Sequence, residues 1–265
     1  MRDRYVGLLL TLATAFVAIS PTMFGQSVPP SGGTANKAIP RMPDGKPNLS
    51  GVWERLPMDT NNSDSFAFEE PSMTPWAEAR YRAARQGIAE HDQGREDIDP
   101  TLYPYCMPPG IPRAYLRTGP LGIHHTPSLI FMHFESNNQA RPIYLDGRKH
   151  PDGAPDMFMG HAIGRWDGDT LFVETTGLNG LLAWLDSLGH PLTDALRVEE
   201  RIRRVTHNKL QIDFLFDDRK AYTKPWTGRK DWELRPNWEI LEYTHCGDQI
   251  REDYLQKALG GDKGP

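Results

Sequence analysis

The sequence lacks the short motifs that mark several large enzyme classes. It contains no G-x-S-x-G, G-x-x-x-x-G-K-[ST] or G-x-G-x-x-G pattern. These are the signatures of serine hydrolases, phosphate-binding loops and dinucleotide-binding folds. Their absence argues against serine-hydrolase, phosphoryl-transfer and nicotinamide-dependent chemistry, and the sequence predicts no cofactor.

A strong charge of one sign is also missing. The chain has 30 Lys and Arg residues against 35 Asp and Glu residues, a net charge of −5 at pH 7. A mildly acidic chain has no general attraction for nucleic acid or for an anionic membrane surface. We therefore exclude nucleic acid as a partner and expect a small organic ligand or substrate.

Long apolar runs are confined to the N-terminus. Val6–Ile19 is almost uninterrupted, follows Arg2 and Arg4, and precedes a polar stretch that reaches Gln26. The run is short for a membrane span of about 20 residues and suits a secretory signal. We predict a cleaved signal peptide over residues 1–25, a periplasmic or secreted protein, and no membrane attachment after cleavage. An uncleaved anchor is the alternative.

Cysteine is scarce, with only Cys106 and Cys246 in the chain. In an oxidising compartment an even pair favours one disulfide, and two free thiols are the alternative. Neither cysteine lies in a C-x-x-C or C-x-x-H setting, so the sequence does not favour a zinc or redox role for them.

The chain is predicted to hold a single folded domain. Residues 26–47 are rich in Pro, Gly, Ser and Asn and are predicted to be a disordered linker. Residues 48–258 form the β-rich domain, and residues 259–265 a flexible tail. A length near 210 residues fits one barrel or sandwich, since such domains are often that long.

One helix and a series of short strands are predicted. The helix covers Trp76–Ala89, with Ser72 or Thr74 as cap and Pro75 in its first turn. The strands are Ser128–Glu135, Arg141–Asp146, Ala162–Trp166, Thr170–Thr175, Arg197–Val205, Leu210–Phe216 and Trp238–His245. Short strands without regular βαβ alternation indicate a mainly β fold: a single antiparallel, lipocalin-like barrel with one N-terminal helix. A jelly roll or another β-sandwich is the alternative.

Several motifs resemble those of a widespread family of exported bacterial proteins of uncharacterised function. They are Asn48-Leu49-Ser50-Gly51-Val52-Trp53, Cys106-x-Pro-Pro-Gly-x-Pro-Arg113, Asp146-Gly-Arg-x-His-Pro151, Ile163-Gly-x-Trp-x-Gly-Asp-Thr-Leu171 and Lys220-Ala-Tyr-Thr-Lys-Pro-Trp-Thr227. The family usually has Glu-Asn after its last Cys, where this chain has Gly247-Asp248-Gln249. The resemblance implies export, one domain and a Cys106–Cys246 pair, and it implies no catalytic role. The Gly51-x-Trp53 pattern also resembles the first strand of lipocalin-like barrels.

The densest polar block is the candidate catalytic site. His150 would act as a general base, Asp146 would orient it, and Arg148 or Arg113 would bind an anion or oxyanion. The alternative is an Asp-Gly turn that bonds its own backbone, with a surface histidine beside it. A metal-independent acid–base enzyme acting on a sugar-like or aromatic substrate is therefore the second functional hypothesis.

Aromatic and polar residues further along the chain favour a binding pocket, which is the first functional hypothesis. A ring face stacks on a ligand while polar groups fix its orientation. The candidate ligand-binding residues are Tyr144, His161, Trp166, Asn179, Trp184 and His190. In the alternative interpretation, the two tryptophans fill the core.

A group of histidines is a candidate metal site. His133 and Glu135 would point the same way on a strand, with His124 and His125 nearby in sequence. No strong ligand spacing is present, so the sequence predicts structural or solvent-facing histidines here and no metal.

Overall fold

The computed structural model describes residues 37–56, 64–92, 108–153, 155–180 and 183–243. The predicted signal peptide, both cysteines and the predicted C-terminal tail lie outside these described residues. Within the described part of the chain, no helix has the length and hydropathy needed to cross a bilayer.

Nine strands among the described residues form one closed barrel. They are β1 (Gly51–Arg55), β2 (Leu121–His125), β3 (Leu129–Phe134), β4 (Gln139–Tyr144), β5 (His161–Asp167), β6 (Thr170–Thr176), β7 (Arg197–Arg204), β8 (Lys209–Asp217) and β9 (Trp226–Leu234). Neighbouring strands pair antiparallel, except that β4 and β5 pair parallel. The prediction of a mainly β fold with a single barrel and one helix is confirmed.

The alternation of side chains along β8 shows how the sequence specifies the barrel. Leu210, Ile212, Phe214 and Phe216 are buried, while the residues between them are only partly covered. Successive side chains of a strand point to opposite faces, so this alternation directs one apolar row inward. The predicted strand Leu210–Phe216 is therefore confirmed.

The prediction of a final strand at Trp238–His245 is wrong for its described residues, 238–243, which have no strand conformation. The strand that completes the barrel is instead β9, which ends at Leu234 and pairs with both β8 and β1. Because a closed barrel has no free edge, it leaves no backbone groups for a further strand to pair with.

Aromatic side chains of the described residues fill the barrel interior. Phe66 reaches in from the segment before the helix, and its ring centroid lies 4.8 Å from that of Phe214 on β8. Tyr115, from a short 3-10 helix at Arg113–Leu116, packs against Phe214 and against Trp232 of β9. Such buried ring contacts stabilise a core beyond their area alone. The described part of the interior therefore contains a cluster of buried aromatic rings.

A buried ion pair also crosses the interior. Arg141 of β4 donates hydrogen bonds to both carboxylate oxygens of Glu200 on β7. Arg141 further donates to the hydroxyls of Thr175 at 2.7 Å and Tyr115 at 2.5 Å. Burial opposes the charge on Arg141, but the Glu200 carboxylate outweighs that effect and raises the pKa of the guanidinium. Arg141 therefore stays charged inside the barrel.

The helix α1 covers Pro75–Asp92. The hydroxyl of Thr74 accepts a hydrogen bond from the backbone N–H of Ala77 at 3.3 Å, so Thr74 caps the helix as predicted. Ala77 and Ala84 are buried, and their small side chains allow the helix to lie close to the rest of the domain. The other side chains of its first three turns are exposed or half-buried.

Two connecting segments hold loops against the barrel. Arg41, within the predicted linker, forms a two-pronged ion pair with Asp169 at the β5–β6 turn, at 2.8 Å.

Residues 145–160 connect the parallel strands β4 and β5, so they must return along the barrel before β5 begins. This return brings the loop residue His150 back to His161, the first residue of β5.

Candidate functional site

A pocket of about 470 Å³ lies where the first turn of α1 meets three connecting loops. Its lining residues are Trp76, Asp156, Asn179, Gly180, Thr193, Asp194 and Lys220. The loops lie between β4 and β5, between β6 and β7, and between β8 and β9. We call this the Trp76 pocket. Of the predicted ligand-binding residues, Asn179 lines it.

The wall of the Trp76 pocket is closely packed. A Cβ atom on Gly180 would lie 2.3 Å from the backbone nitrogen of Asp194 and from the carbonyl carbon of Thr193. The buried Asp218 fixes the facing loop, because it accepts hydrogen bonds from the backbone N–H of Thr193 at 2.7 Å and from its hydroxyl at 2.8 Å. The pocket is thus defined by backbone contact, and only glycine fits at position 180.

The polar groups of the Trp76 pocket carry both signs of charge. Lys220 donates a hydrogen bond to Asp194 at 2.6 Å. That bond is the main reason that the pKa of Asp194 is lowered and the pKa of Lys220 is raised. Asp156 adds a second carboxylate. At neutral pH the pocket therefore offers an ammonium donor, carboxylate acceptors, the Asn179 amide and the Thr193 hydroxyl.

The aromatic part of this pocket was missed from the sequence. Trp76 was interpreted only as a helix residue, yet 48 % of it is exposed and it lines the pocket. The Arg80 guanidinium lies over two indoles, 5.9 Å from the ring centroid of Trp76 and 4.9 Å from that of Trp184. The predicted ligand-binding residue Trp184 therefore lies beside the pocket, joined to Trp76 through Arg80. The available sequence signal is a tryptophan at the start of an alanine-rich helix.

His190, another predicted ligand-binding residue, is buried beneath α1 and does not line the pocket. Its Nδ1 lies 2.6 Å from an Asp186 oxygen, and its Nε2 lies 3.0 Å from an oxygen of Glu70. Tyr81 of α1 stacks on the imidazole with ring centroids 4.5 Å apart. Burial alone would lower the pKa of His190, but the two carboxylates outweigh burial and raise it to about 9. His190 is therefore a cation at neutral pH that links α1 to the loop before β7.

The predicted catalytic residues of the 145–160 loop divide into two separate sets of contacts. His150 Nδ1 is 2.8 Å from His161 Nδ1, and His150 Nε2 is 3.1 Å from a Glu174 oxygen. Asp146 bonds Arg148 instead of His150. The carboxylate that orients His150 is thus Glu174, which the register of β5 with β6 brings beside it and which sequence analysis missed.

Aromatic contacts complete this second cluster. Tyr144 stacks on His161 with ring centroids 5.5 Å apart, and the Arg148 guanidinium lies 3.7 Å from the Tyr144 ring centroid. Burial, then the neighbouring His150 and Arg148, lower the pKa of His161. We call His150, His161 and Glu174 the two-histidine cluster.

A groove of about 370 Å³ runs beside the two-histidine cluster on the outer face of β5, β6 and β7. Glu174, Arg148 and Arg197 line it, together with the ring of Phe172. Neither histidine is among its lining residues. The groove therefore presents an arginine-paired carboxylate rather than an imidazole base.

The other predicted residues lie elsewhere. Arg113 is buried in its 3-10 helix. Trp166 stacks on His125 with ring centroids 5.6 Å apart, on the side of the barrel where β1 meets β2. His124 is exposed, and a Glu135 oxygen accepts a hydrogen bond from the backbone N–H of Leu241 at 2.9 Å. Within the described residues, no group of three or more His, Cys, Asp or Glu side chains is arranged to hold a metal ion.

Comparisons with known proteins identify no relative in which this site could be compared. The predicted Cys106–Cys246 pair lies outside the described residues, so the resemblance to an exported bacterial family stays a prediction. Comparison with family models, with curated proteins and with solved structures finds no match to this chain.

Proposed function

We propose that this protein is an exported small-molecule-binding protein, and that the Trp76 pocket takes a ring-bearing polar ligand such as a sugar or a hydroxylated aromatic compound. The observation that carries this proposal is the exposed indole of Trp76 at the wall of a pocket of about 470 Å³. Ligand sites commonly combine an apolar ring face with a few polar groups that fix orientation.

The polar lining supports a ligand that carries hydroxyl groups. Asp156 and Asp194 accept hydrogen bonds from such groups, and Lys220 donates to them. These side chains lie on one pocket with Trp76, so one ligand can stack on the indole and reach them. Tryptophan is well suited to this role because its large face is apolar while its edge is polar.

The packing around the pocket supports a preformed site. Gly180 contacts the loop at Thr193 too closely for any side chain, and Asp218 fixes that loop by two hydrogen bonds. His190 contacts α1 through the Tyr81 ring and holds the segment before the helix through Glu70. Preorganised walls reduce the ordering cost of binding.

The acid–base enzyme hypothesis receives less support from the geometry. His150 is held between His161 and Glu174, and the adjacent groove is lined by neither histidine. A general base must come within hydrogen-bond reach of the proton it removes. Substrate in that groove would meet Glu174 and its arginine partner Arg197 first.

The test is a thermal-shift screen of the protein against sugars, uronic acids and phenolics, followed by calorimetric titration of each hit. A ligand at one hundred times its Kd should stabilise the fold by about 2.7 kcal/mol. We expect Trp76→Ala to weaken binding of the hit at least tenfold, because the stacking surface is lost.

Trp238→Ala is the matched control for this test. Trp238 is 46 % exposed and also has an arginine over its ring, Arg235 at 5.7 Å, but it does not line the pocket. The control should leave the affinity unchanged. Equal losses in the two variants, or a screen with no hits, would contradict a ligand site at Trp76.

A further inference from the structure

The two-histidine cluster has a geometry that the ligand pocket does not use. The Nδ1 atoms of His150 and His161 face each other at 2.8 Å, and the Nε2 of His150 lies 3.1 Å from a Glu174 oxygen. Two imidazole nitrogens in contact, with a carboxylate behind one ring, are the kinds of group from which metal sites are built.

The position of Glu174 fixes which nitrogen of His150 is free. A carboxylate only accepts hydrogen bonds, so the proton of neutral His150 resides on Nε2 and is donated to Glu174. Nδ1 then carries a lone pair, and it is directed toward His161. This carboxylate–histidine arrangement orients the ring and makes its free nitrogen a better ligand.

The spacing of the two nitrogens is close to that of a shared ion. Zinc binds histidine nitrogen at about 2.0–2.1 Å, and two such nitrogens in a tetrahedral site lie about 3.4 Å apart. The separation of 2.8 Å would need to open by only about 0.6 Å to reach that value. Small rotations of the His150 side chain, which is on a loop, can supply this movement.

Two of the arginines near the cluster are paired with carboxylates. Arg148 is paired with Asp146, and Arg197 is paired with both Glu174 and Glu199. These pairs offset part of the positive charge near the cluster, although Arg148 still lowers the pKa of His161. The His150 side chain is 21 % exposed, so water and ions can reach the cluster.

We propose that His150 and His161 bind one divalent transition metal ion of the zinc type through their Nδ1 atoms, with Glu174 orienting His150 and water completing the coordination. With two protein ligands, the site is weaker than a structural zinc site and keeps open positions, as catalytic metal sites do. Imidazole ligands suit Zn²⁺, Ni²⁺ and Cu²⁺ rather than Mg²⁺ or Ca²⁺.

Calorimetric titration of the untagged, chelator-treated protein with Zn²⁺ and with Mg²⁺ tests this site. We expect one equivalent of Zn²⁺ to bind and Mg²⁺ to give no signal. His150→Ala and His161→Ala should each abolish that equivalent, and Glu174→Gln should weaken it about 10- to 100-fold. His124→Ala is the matched control, since His124 is exposed on β2, and it should bind as the wild type does.

X-ray absorption of the zinc-loaded wild type gives an independent readout that does not depend on the variants folding. Two imidazole nitrogens at about 2.0–2.1 Å are expected. A wild type that binds no stoichiometric zinc would overturn the site. So would zinc that His150→Ala retains, or an absorption spectrum without imidazole ligands. In each of these three cases the 2.8 Å contact is a simple N–H···N hydrogen bond between the two rings.

Discussion

Replacing Glu200 by Gln should destabilise the barrel strongly, although the two side chains have nearly the same shape. Glu200 is 0 % exposed and Arg141 is 1 % exposed, so water cannot solvate the arginine once its partner is neutral. The glutamine retains one oxygen to accept a hydrogen bond, but the balancing negative charge is gone. A buried, unbalanced guanidinium would remain between β4 and β7.

The size of this effect follows from the burial. Removing one partner of a buried ion pair typically costs about 3–5 kcal/mol, because the other charge is left without compensation. For a domain of about this length, such a loss lowers Tm by roughly 6–20 °C. The remaining hydrogen bonds from Arg141 to Thr175 and Tyr115 keep the loss toward the lower end.

The neighbouring residue supplies the control. Glu199 lies on the same strand but points outward, where it pairs with Arg197 at 3.0 Å and remains partly exposed. Glu199→Gln should cost no more than about 1 kcal/mol, as is usual for surface ion pairs. Urea denaturation followed by tryptophan fluorescence measures the free energy of unfolding of the Glu200→Gln and Glu199→Gln variants under the same conditions.

Two results would refute this reasoning. The first is an equal, small loss in Glu199→Gln and Glu200→Gln, which would mean that the interior pair is solvated. The second concerns the double variant Arg141→Met/Glu200→Met, which removes both charges and should be more stable than Glu200→Gln. A double variant less stable than the single one would show that the charge itself is not the cause.

Two further predictions concern the region beneath α1. The pKa of His190 is raised from 6.5 to about 9 in the folded protein, so its ion pairs stabilise fully below pH 6.5 and are lost as the pH rises through 9. Urea denaturation should show that the free energy of unfolding falls by about 3 kcal/mol between pH 6.5 and 10. The His190→Gln variant should not show this fall. A wild type with constant stability over this range would contradict the raised pKa. Gly180→Ala should destabilise the fold by about 1–3 kcal/mol, because its Cβ would overlap the backbone of Thr193, and unchanged denaturation would show that the contact is loose.

Local sequence patterns predicted the strands that alternate cleanly and missed those that do not. β8 was found because its inward residues are all apolar. β9 was missed because Gly228 and Lys230 occupy its inward row between Trp226 and Trp232. The tertiary contact explains the glycine, since a Cβ at position 228 would lie 2.6 Å from the carbonyl oxygen of Phe66. That contact is with a segment distant in sequence, so no local pattern reports it.

The candidate sites were also only partly predictable from the sequence. Residues close in sequence, such as Asp146, Arg148 and His150, could be grouped from the sequence, but their hydrogen-bond partners could not. Glu174 reaches His150 only because β6 pairs with β5. Trp76 becomes a pocket residue only because α1 packs beside loops from three other parts of the chain. Strand order and helix docking set these neighbours, and neither is encoded in the spacing of the residues themselves.

The number of strands has a consequence of its own. In a closed barrel, every neighbouring pair of strands can be antiparallel only when the number of strands is even. This barrel has nine strands. One junction must therefore join two strands of the same direction, and that junction is β4–β5. At this junction alone, parity forces the chain to travel the full height of the barrel between neighbours, and the two-histidine cluster lies where that passage ends. Insertion or deletion of a single strand would remove the need for the passage, and with it the loop that carries His150.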